Sequence, residues 1–222
     1  MCGIAGYFGF NNISDHQIKE CLDKMKNRGP DNNSIRKLRF NENINCYFLH
    51  TRLSIIDIDE RSNQPFFFDG LYLVYNGEIY NYIELRLQLK SKGYRFNTES
   101  DTEVLIKAYH CWGEEMFDKL EGMWAMALFN QHNGNLILSR DRFAEKPLYY
   151  YKTKQGIFFG SEIKFIKSIC SQNFSINYNQ INRYLVNGYK SLYKHHETFY
   201  EKIQEVDLSS YLKITPRIEI SK

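Results

Sequence analysis

Short strand-like runs set the frame for this chain. Segments 34–40, 46–57, 71–76, 122–129, 136–140, 148–151 and 157–160 are rich in β-branched and aromatic residues and are bounded by Gly, Pro, Asn or Asp. Helical patterns occur before, between and after them. Strands at this density with so few helices imply an α+β sandwich, mostly antiparallel, rather than a doubly wound parallel sheet. Asn133-Gly134 marks a hairpin between two of the runs.

The helices announce themselves at their ends. Ser14 or Asp15 caps a helix in which Ile18, Cys21, Leu22 and Met25 follow helical spacing, and Arg28-Gly29-Pro30-Asp31 turns the chain out of it. A second helix runs from about 81 to 92 and closes at Gly93. Ser100-Asp101-Thr102-Glu103 reads as a capping box opening a third, through about 110, and Ser161 or Glu162 starts a short fourth. From about Ser171 the composition shifts to Asn, Tyr, Lys and Ile, with a helix expected over 178–184 and the rest extended or irregular.

Composition excludes several classes. The 222 residues, 43% hydrophobic and 16% aromatic, suit one sizeable domain. A net charge of +3 with scattered cations gives neither a nucleic-acid footprint nor a polybasic membrane patch. No stretch approaches a membrane span, and the apolar run after Cys2 lacks the basic flank of a secretory signal. Five widely spaced cysteines without a Cys-x-x-Cys pair suggest a reducing, cytoplasmic compartment. His50, His110 and His132 are isolated and His195-His196 has no second ligand cluster, so no metal is expected. Neither a Gly-x-Gly-x-x-Gly nor a phosphate-loop signature is present.

Chemistry enters at Cys2. Removal of Met1 places a thiol and a free α-amine on one residue, and an unprotonated terminal amine is a base for the neighbouring thiol. A buried first strand explains the same cysteine. Asn76-Gly77 pairs a side-chain amide with a backbone N–H, the donors an oxyanion needs, at what reads as a strand end; the pair also suits an ordinary turn. Arg52, in an otherwise apolar run, is a candidate clamp for a carboxylate or an outward-facing strand residue. Asp101, ionised at a helix N-terminus, with Glu78 nearby, suits a substrate ammonium, and suits helix-end stabilisation equally.

The ordered series of motifs resembles a known family. Cys2-Gly3-Ile4-Ala5-Gly6, Arg28-Gly29-Pro30-Asp31, Arg52-Leu53-Ser54-Ile55, Gln64-Pro65, Asn76-Gly77-Glu78-Ile79-Tyr80-Asn81, Ser100-Asp101-Thr102-Glu103-Val104, Gly122-Met123-Trp124-Ala125 and Ser139-Arg140-Asp141-Arg142-Phe143 with Lys146-Pro147-Leu148-Tyr149 are similar to the glutamine-hydrolysing domain of asparagine synthetases. These are class II glutamine amidotransferases of the N-terminal-nucleophile type. The resemblance implies a four-layer αββα sandwich over residues 2–170 and hydrolysis of glutamine to glutamate and ammonia. It assigns Cys2 as nucleophile, Asn76 and Gly77 as oxyanion hole, Arg52 as carboxylate clamp, and Asp101 with Glu78 as partners of the substrate amine.

Three positions depart from the family's pattern. Asn27 stands where His is usual, Ala144 where Gly is usual, and Glu145 where an apolar residue is common. The family's ATP-using synthetase domain, with its Ser-Gly-Gly-x-Asp-Ser pyrophosphate loop, is not in this sequence. Residues 171–222 are accordingly expected to be a connecting segment toward it, with 181–189 as its helix. ATP and magnesium are expected only there, with no cofactor in this chain. The expected partners are glutamine and a synthetase domain or chain; the resemblance also allows a homodimer.

Overall fold

The computed structural model describes residues 1–188 and 197–222. His195-His196 and Tyr189 lie outside the described residues. One sheet is built from β1 (Gly3–Gly9), β2 (Asn32–Phe40), β3 (Ile44–Arg52), β8 (Tyr149–Lys152), β9 (Gly156–Gly160) and β10 (Ile203–Glu205). Their order is β10-β8-β9-β1-β3-β2. The second comprises β4 (Phe66–Phe68), β5 (Leu71–Ile79), β6 (Gly122–Asn130), β7 (Asn135–Arg140), β11 (Ser210–Ile214) and β12 (Ile220–Ser221), in the order β12-β11-β7-β6-β5-β4. Every neighbouring pair is antiparallel.

Alternation along the strands makes three apolar layers. Ile4 and Phe8 of β1, Phe48 of β3, Val74 of β5 and Phe129 of β6 face one another between the sheets. Phe8 and Phe129 meet across that gap with ring centroids 6.0 Å apart. Each such fully buried ring contributes about 1.5–3 kcal/mol through the water it loses. The opposite faces are covered by helices. Ala5, Tyr7 and Leu49 pack under α1 (Asp15–Met25) and α4 (Ile163–Cys170). Leu73, Tyr75 and Met126 pack under α2 (Tyr82–Ser91) and α3 (Asp101–Trp112). The result is the αββα sandwich.

Local signals fix the ends of these elements. Ser14 and Gln17 form a reciprocal capping box at α1. At α3 only half of the expected box exists, because Ser100 Oγ accepts from Thr102 N while the Glu103 carboxylate turns back to the N–H groups of Asn97 and Thr98. Asn133-Gly134 closes the β6–β7 hairpin with Gly134 at φ +73°, a conformation that only glycine adopts without cost.

Two expectations need correction. The strand read over 46–57 ends at Arg52, beyond which the chain loops away and Asp57 takes φ +49°. The sandwich also continues past residue 170. Strand β10 pairs with β8 and β11 with β7, and Val206, Leu212, Ile214 and Ile218 join the central core. Without them β7 and β8 would be open edges. Short strands far from their partners in sequence leave little local signal, which is why this segment read as irregular. Its helix α5 (Tyr178–Asn187) matches the expectation at its start.

Candidate active site

Parity carries polar groups into the end of the gap between the sheets. Phe48, His50 and Arg52 alternate onto one face of β3, and Val74, Asn76 and Glu78 onto the facing side of β5; the apolar members fill the depth and the later ones reach the mouth. Gly3 is in register with Thr51, so Cys2 falls beside the Arg52–Leu53 end of β3. The first turn of α3 adds Asp101. Cys2, Arg52, Asn76, Gly77, Glu78 and Asp101 all line one cleft of about 740 Å³, counted to its open mouth.

Backbone contacts hold Cys2 in place. Its Sγ accepts from Leu53 N at 3.4 Å, and its carbonyl accepts from Arg28 Nε at 2.9 Å. Arg28 is in turn paired with Glu162 at 3.0 Å. Burial raises the thiol pKa above its ordinary value, with the Asp101 charge adding to the rise, although the Leu53 N–H, the chain's amino terminus and Arg52 act to lower it. The thiol is therefore not ionised in advance and needs a base.

Asn76-Gly77 is not a turn. Both residues lie inside β5, opposite Ala125 and Trp124. Glycine is required there by close approach, since a Cβ would stand 2.1 Å from the carbonyl oxygen of Met123. Asn76 is 1% exposed, and its Nδ2 has no hydrogen-bond partner. An orphaned buried donor costs about 1–3 kcal/mol, and this one sits on a residue that lines the cleft.

Arg52 is more engaged than its sequence position suggests. Nη1 donates to Asp59 O at 2.9 Å and to Asn63 Oδ1 at 2.7 Å, while Nη2 donates to Asp57 O and, at 3.5 Å, to Ile56 O. The guanidinium thus folds the 56–63 loop around itself. Nε–H and the weakly used side of Nη2 are the donors left for a ligand carboxylate.

Asp101 is 5% exposed and accepts from Tyr75 Oη at 3.0 Å and Ile79 N at 3.1 Å, both on Oδ2. Oδ1 has a 3.5 Å contact from Ser100 Oγ. Desolvation raises its pKa despite these bonds, and the charge of Glu78 adds to the rise. Ready ionisation at the helix terminus was the expectation; burial opposes it. A ligand ammonium would restore the charged form. The Glu78 carboxylate lines the cleft with no side-chain hydrogen bond among the described residues.

Three contributors escaped the sequence reading. Arg28 was read as part of a turn but holds the Cys2 carbonyl. Gln64 accepts from Tyr75 N at 2.6 Å and braces β5 from the side. Lys146 lines the cleft although it is far along the chain. Motif membership was the available signal for each, but their contacts are made across the sheets. Among the described residues no group of three or more His, Cys, Asp or Glu is arranged to hold a metal ion, and no helix is long and apolar enough to cross a membrane.

Comparison with known proteins gives a consistent result. Residues 1–220 match the family described as "Glutamine amidotransferase domain". Asparagine synthetase [glutamine-hydrolyzing] 1 of Bacillus subtilis is 40% identical over 171 residues, covering 74% of this chain and 26% of that protein. Asparagine synthetase [glutamine-hydrolyzing] 2 of the same organism is 32% identical over 223 residues, covering 96% of this chain and 29% of its own length. Putative asparagine synthetase [glutamine-hydrolyzing] 2 of Methanocaldococcus jannaschii is 34% identical over 200 residues, with 81% and 38% covered. The chain therefore spans well under half of these relatives. The glutamine phosphoribosylpyrophosphate amidotransferase of Bacillus subtilis superposes over 100% of this chain and 49% of its own, with a TM-score of 0.71 at 18% identity, a likeness of fold. One cleft that brings together the Cys2 thiol, an orphaned amide donor and opposed charges, together with these matches, shows that the chain belongs to the glutamine amidotransferase domain family.

Proposed function

We propose that this chain hydrolyses glutamine to glutamate and ammonia through a thioester on Cys2, as the ammonia-supplying part of an asparagine synthetase. The observation that carries the reading is the unpartnered Asn76 Nδ2 in the same cleft as the Cys2 thiol. Removal of Met1 frees the α-amine of Cys2. That amine takes the thiol proton, and the thiolate attacks the side-chain carbonyl carbon of glutamine. Asn76 Nδ2 and Gly77 N–H receive the oxyanion. Collapse breaks the C–N bond, the protonated amine returns its proton to the leaving nitrogen, and ammonia departs. Water, deprotonated by the same amine, cleaves the thioester to release glutamate and the thiol.

Arg52 takes the α-carboxylate, and Asp101 with Glu78 takes the ammonium. Activation of the acceptor, with ATP and magnesium, belongs to a synthetase domain or chain. A reducing cytoplasm keeps Cys2 as a thiol. The test is intact-mass analysis of purified chain, followed by glutamine and then a glutamine-like electrophile, with sedimentation on the same preparation to detect a homodimer. Loss of one methionine, slow ammonia release without ATP and an adduct on Cys2 are expected. An unprocessed chain that turns over equally fast would remove the amine from the mechanism, and absence of both adduct and turnover with a cognate synthetase present would leave only a scaffold.

A further inference from the structure

Among the described residues Lys146 has no carboxylate paired with its ammonium. The residue is 7% exposed and lines the cleft. Its backbone is fixed by Asp141, whose buried carboxylate accepts the N–H of Lys146 at 3.0 Å, and by Arg140, whose Nε donates to the Lys146 carbonyl at 2.7 Å. Arg140 is itself braced by Glu205 and the Val206 carbonyl at 3.1 and 3.0 Å. The ammonium nitrogen lies 3.4 Å from the Met1 thioether sulfur, and no carboxylate of the described residues forms an ion pair with it. Thioether sulfur is a weak acceptor, so this buried cation is poorly compensated. Its neighbour is also the residue that the proposed mechanism removes.

We propose that Lys146 is a positioning residue for glutamine hydrolysis: once Met1 is gone, its ammonium faces the Cys2 α-amine and holds that amine in its neutral, proton-accepting form. The inference rests on the reading of Cys2 as the nucleophile. A second positive charge one methionine side chain away is unfavourable in a partly desolvated cleft, so the amine accepts a proton less readily than an ordinary terminus. Lys146 forms no bond to substrate. Other groups also face Cys2. Arg28 is paired with Glu162, Arg52 keeps its positive charge while its fork donates to loop oxygens, and Tyr75, Glu78 and Asp101 line the same cleft. Lys146 is the cation of this set with neither carboxylate nor carbonyl on its head group.

The experiment compares Met1-processed wild type with Lys146→Met, Lys146→Gln and Lys146→Arg, measuring kcat/KM for ammonia release from pH 5.5 to 9 and alkylation of Cys2 by a glutamine-like electrophile. In the Met and Gln variants the acidic limb should move up by about one pH unit, an activity loss of about 10-fold near pH 6.5 that closes above pH 8.5. The Arg variant should keep the wild-type limb. If one neutral variant fails to fold, the other carries the comparison. An unmoved limb, or a KM increase equal at every pH, overturns the proposal while leaving the glutaminase reading intact. A wild type with neither adduct nor turnover overturns both.

Discussion

The Tyr75 hydroxyl donates to Asp101 Oδ2 at 3.0 Å, so the strand that presents Asn76 and Gly77 also grips the carboxylate delivered by α3. The two ends of the glutamine site are therefore coupled through one strand. Tyr75→Phe deletes a hydrogen bond to a charged group, worth about 1.5–3 kcal/mol. The expected result is a KM for glutamine raised about 10-fold with a smaller change in kcat. A kcat collapse at unchanged KM in steady-state assays would place Tyr75 in the chemistry instead.

Asp101 sets function against stability. Its folded pKa is raised, so its contribution to stability is fully present below the unfolded carboxylate value and is lost as pH rises through the folded value. At neutral pH the empty site carries that cost. Asp101→Asn should therefore leave the ligand-free melting temperature at pH 7 unchanged or higher while weakening glutamine binding at least 10-fold. Calorimetry of the free chain and a glutamine titration test the two halves. In wild type, glutamine binding should weaken as pH falls through the raised value, because the protonated carboxyl no longer attracts the ammonium.

Asn76→Ala separates chemistry from binding. The unpartnered Nδ2 makes no hydrogen bond that its removal would break, so stability should change by less than about 1 kcal/mol. Because the oxyanion exists only near the transition state, kcat should fall by about 10²-fold or more with KM little changed. Equal loss in KM would mean that Asn76 binds the ground state.

His50 predicts an acid limit. The ring is fully buried, neither nitrogen has a hydrogen-bond partner although the Tyr75 backbone is near, and burial pushes its pKa down to about 3. Stability from this group is intact above about 6.5 and is lost toward the folded value, at about 1.4 kcal/mol for each pH unit. His50→Leu should flatten the decline between pH 6.5 and 4, and urea unfolding at pH 7, 5 and 4 measures it. A decline as steep as wild type's would assign acid sensitivity elsewhere.

Ala144 occupies φ +55° where the family usually has glycine. The left-handed conformation costs a non-glycine residue roughly 1–2 kcal/mol, and a glycine's freer unfolded state returns about half of that. Ala144→Gly should raise the melting temperature by about 1–3 °C. A lower one would mean that the methyl group has packing of its own in the loop that presents Lys146.

Much of the architecture is written locally. Capping residues open α1 and α3, and Asn133-Gly134 closes its hairpin. These signals act between near neighbours, so a reader of the chain recovers them. Motif order carried the candidate site as well, and Cys2, Arg52, Asn76, Gly77, Glu78 and Asp101 do share a cleft. What tertiary structure alone decided is the electrostatic state of each group. Burial turns Asp101 from a ready anion into a reluctant one and raises the Cys2 thiol, and the loop after β3 occupies most of the Arg52 fork. It also decided that Asn76-Gly77 lies within a strand, that residues beyond 170 complete both sheets, and that Lys146 faces the first residue of the chain. Desolvation and long-range pairing depend on what packs from other parts of the chain, and no local pattern encodes that.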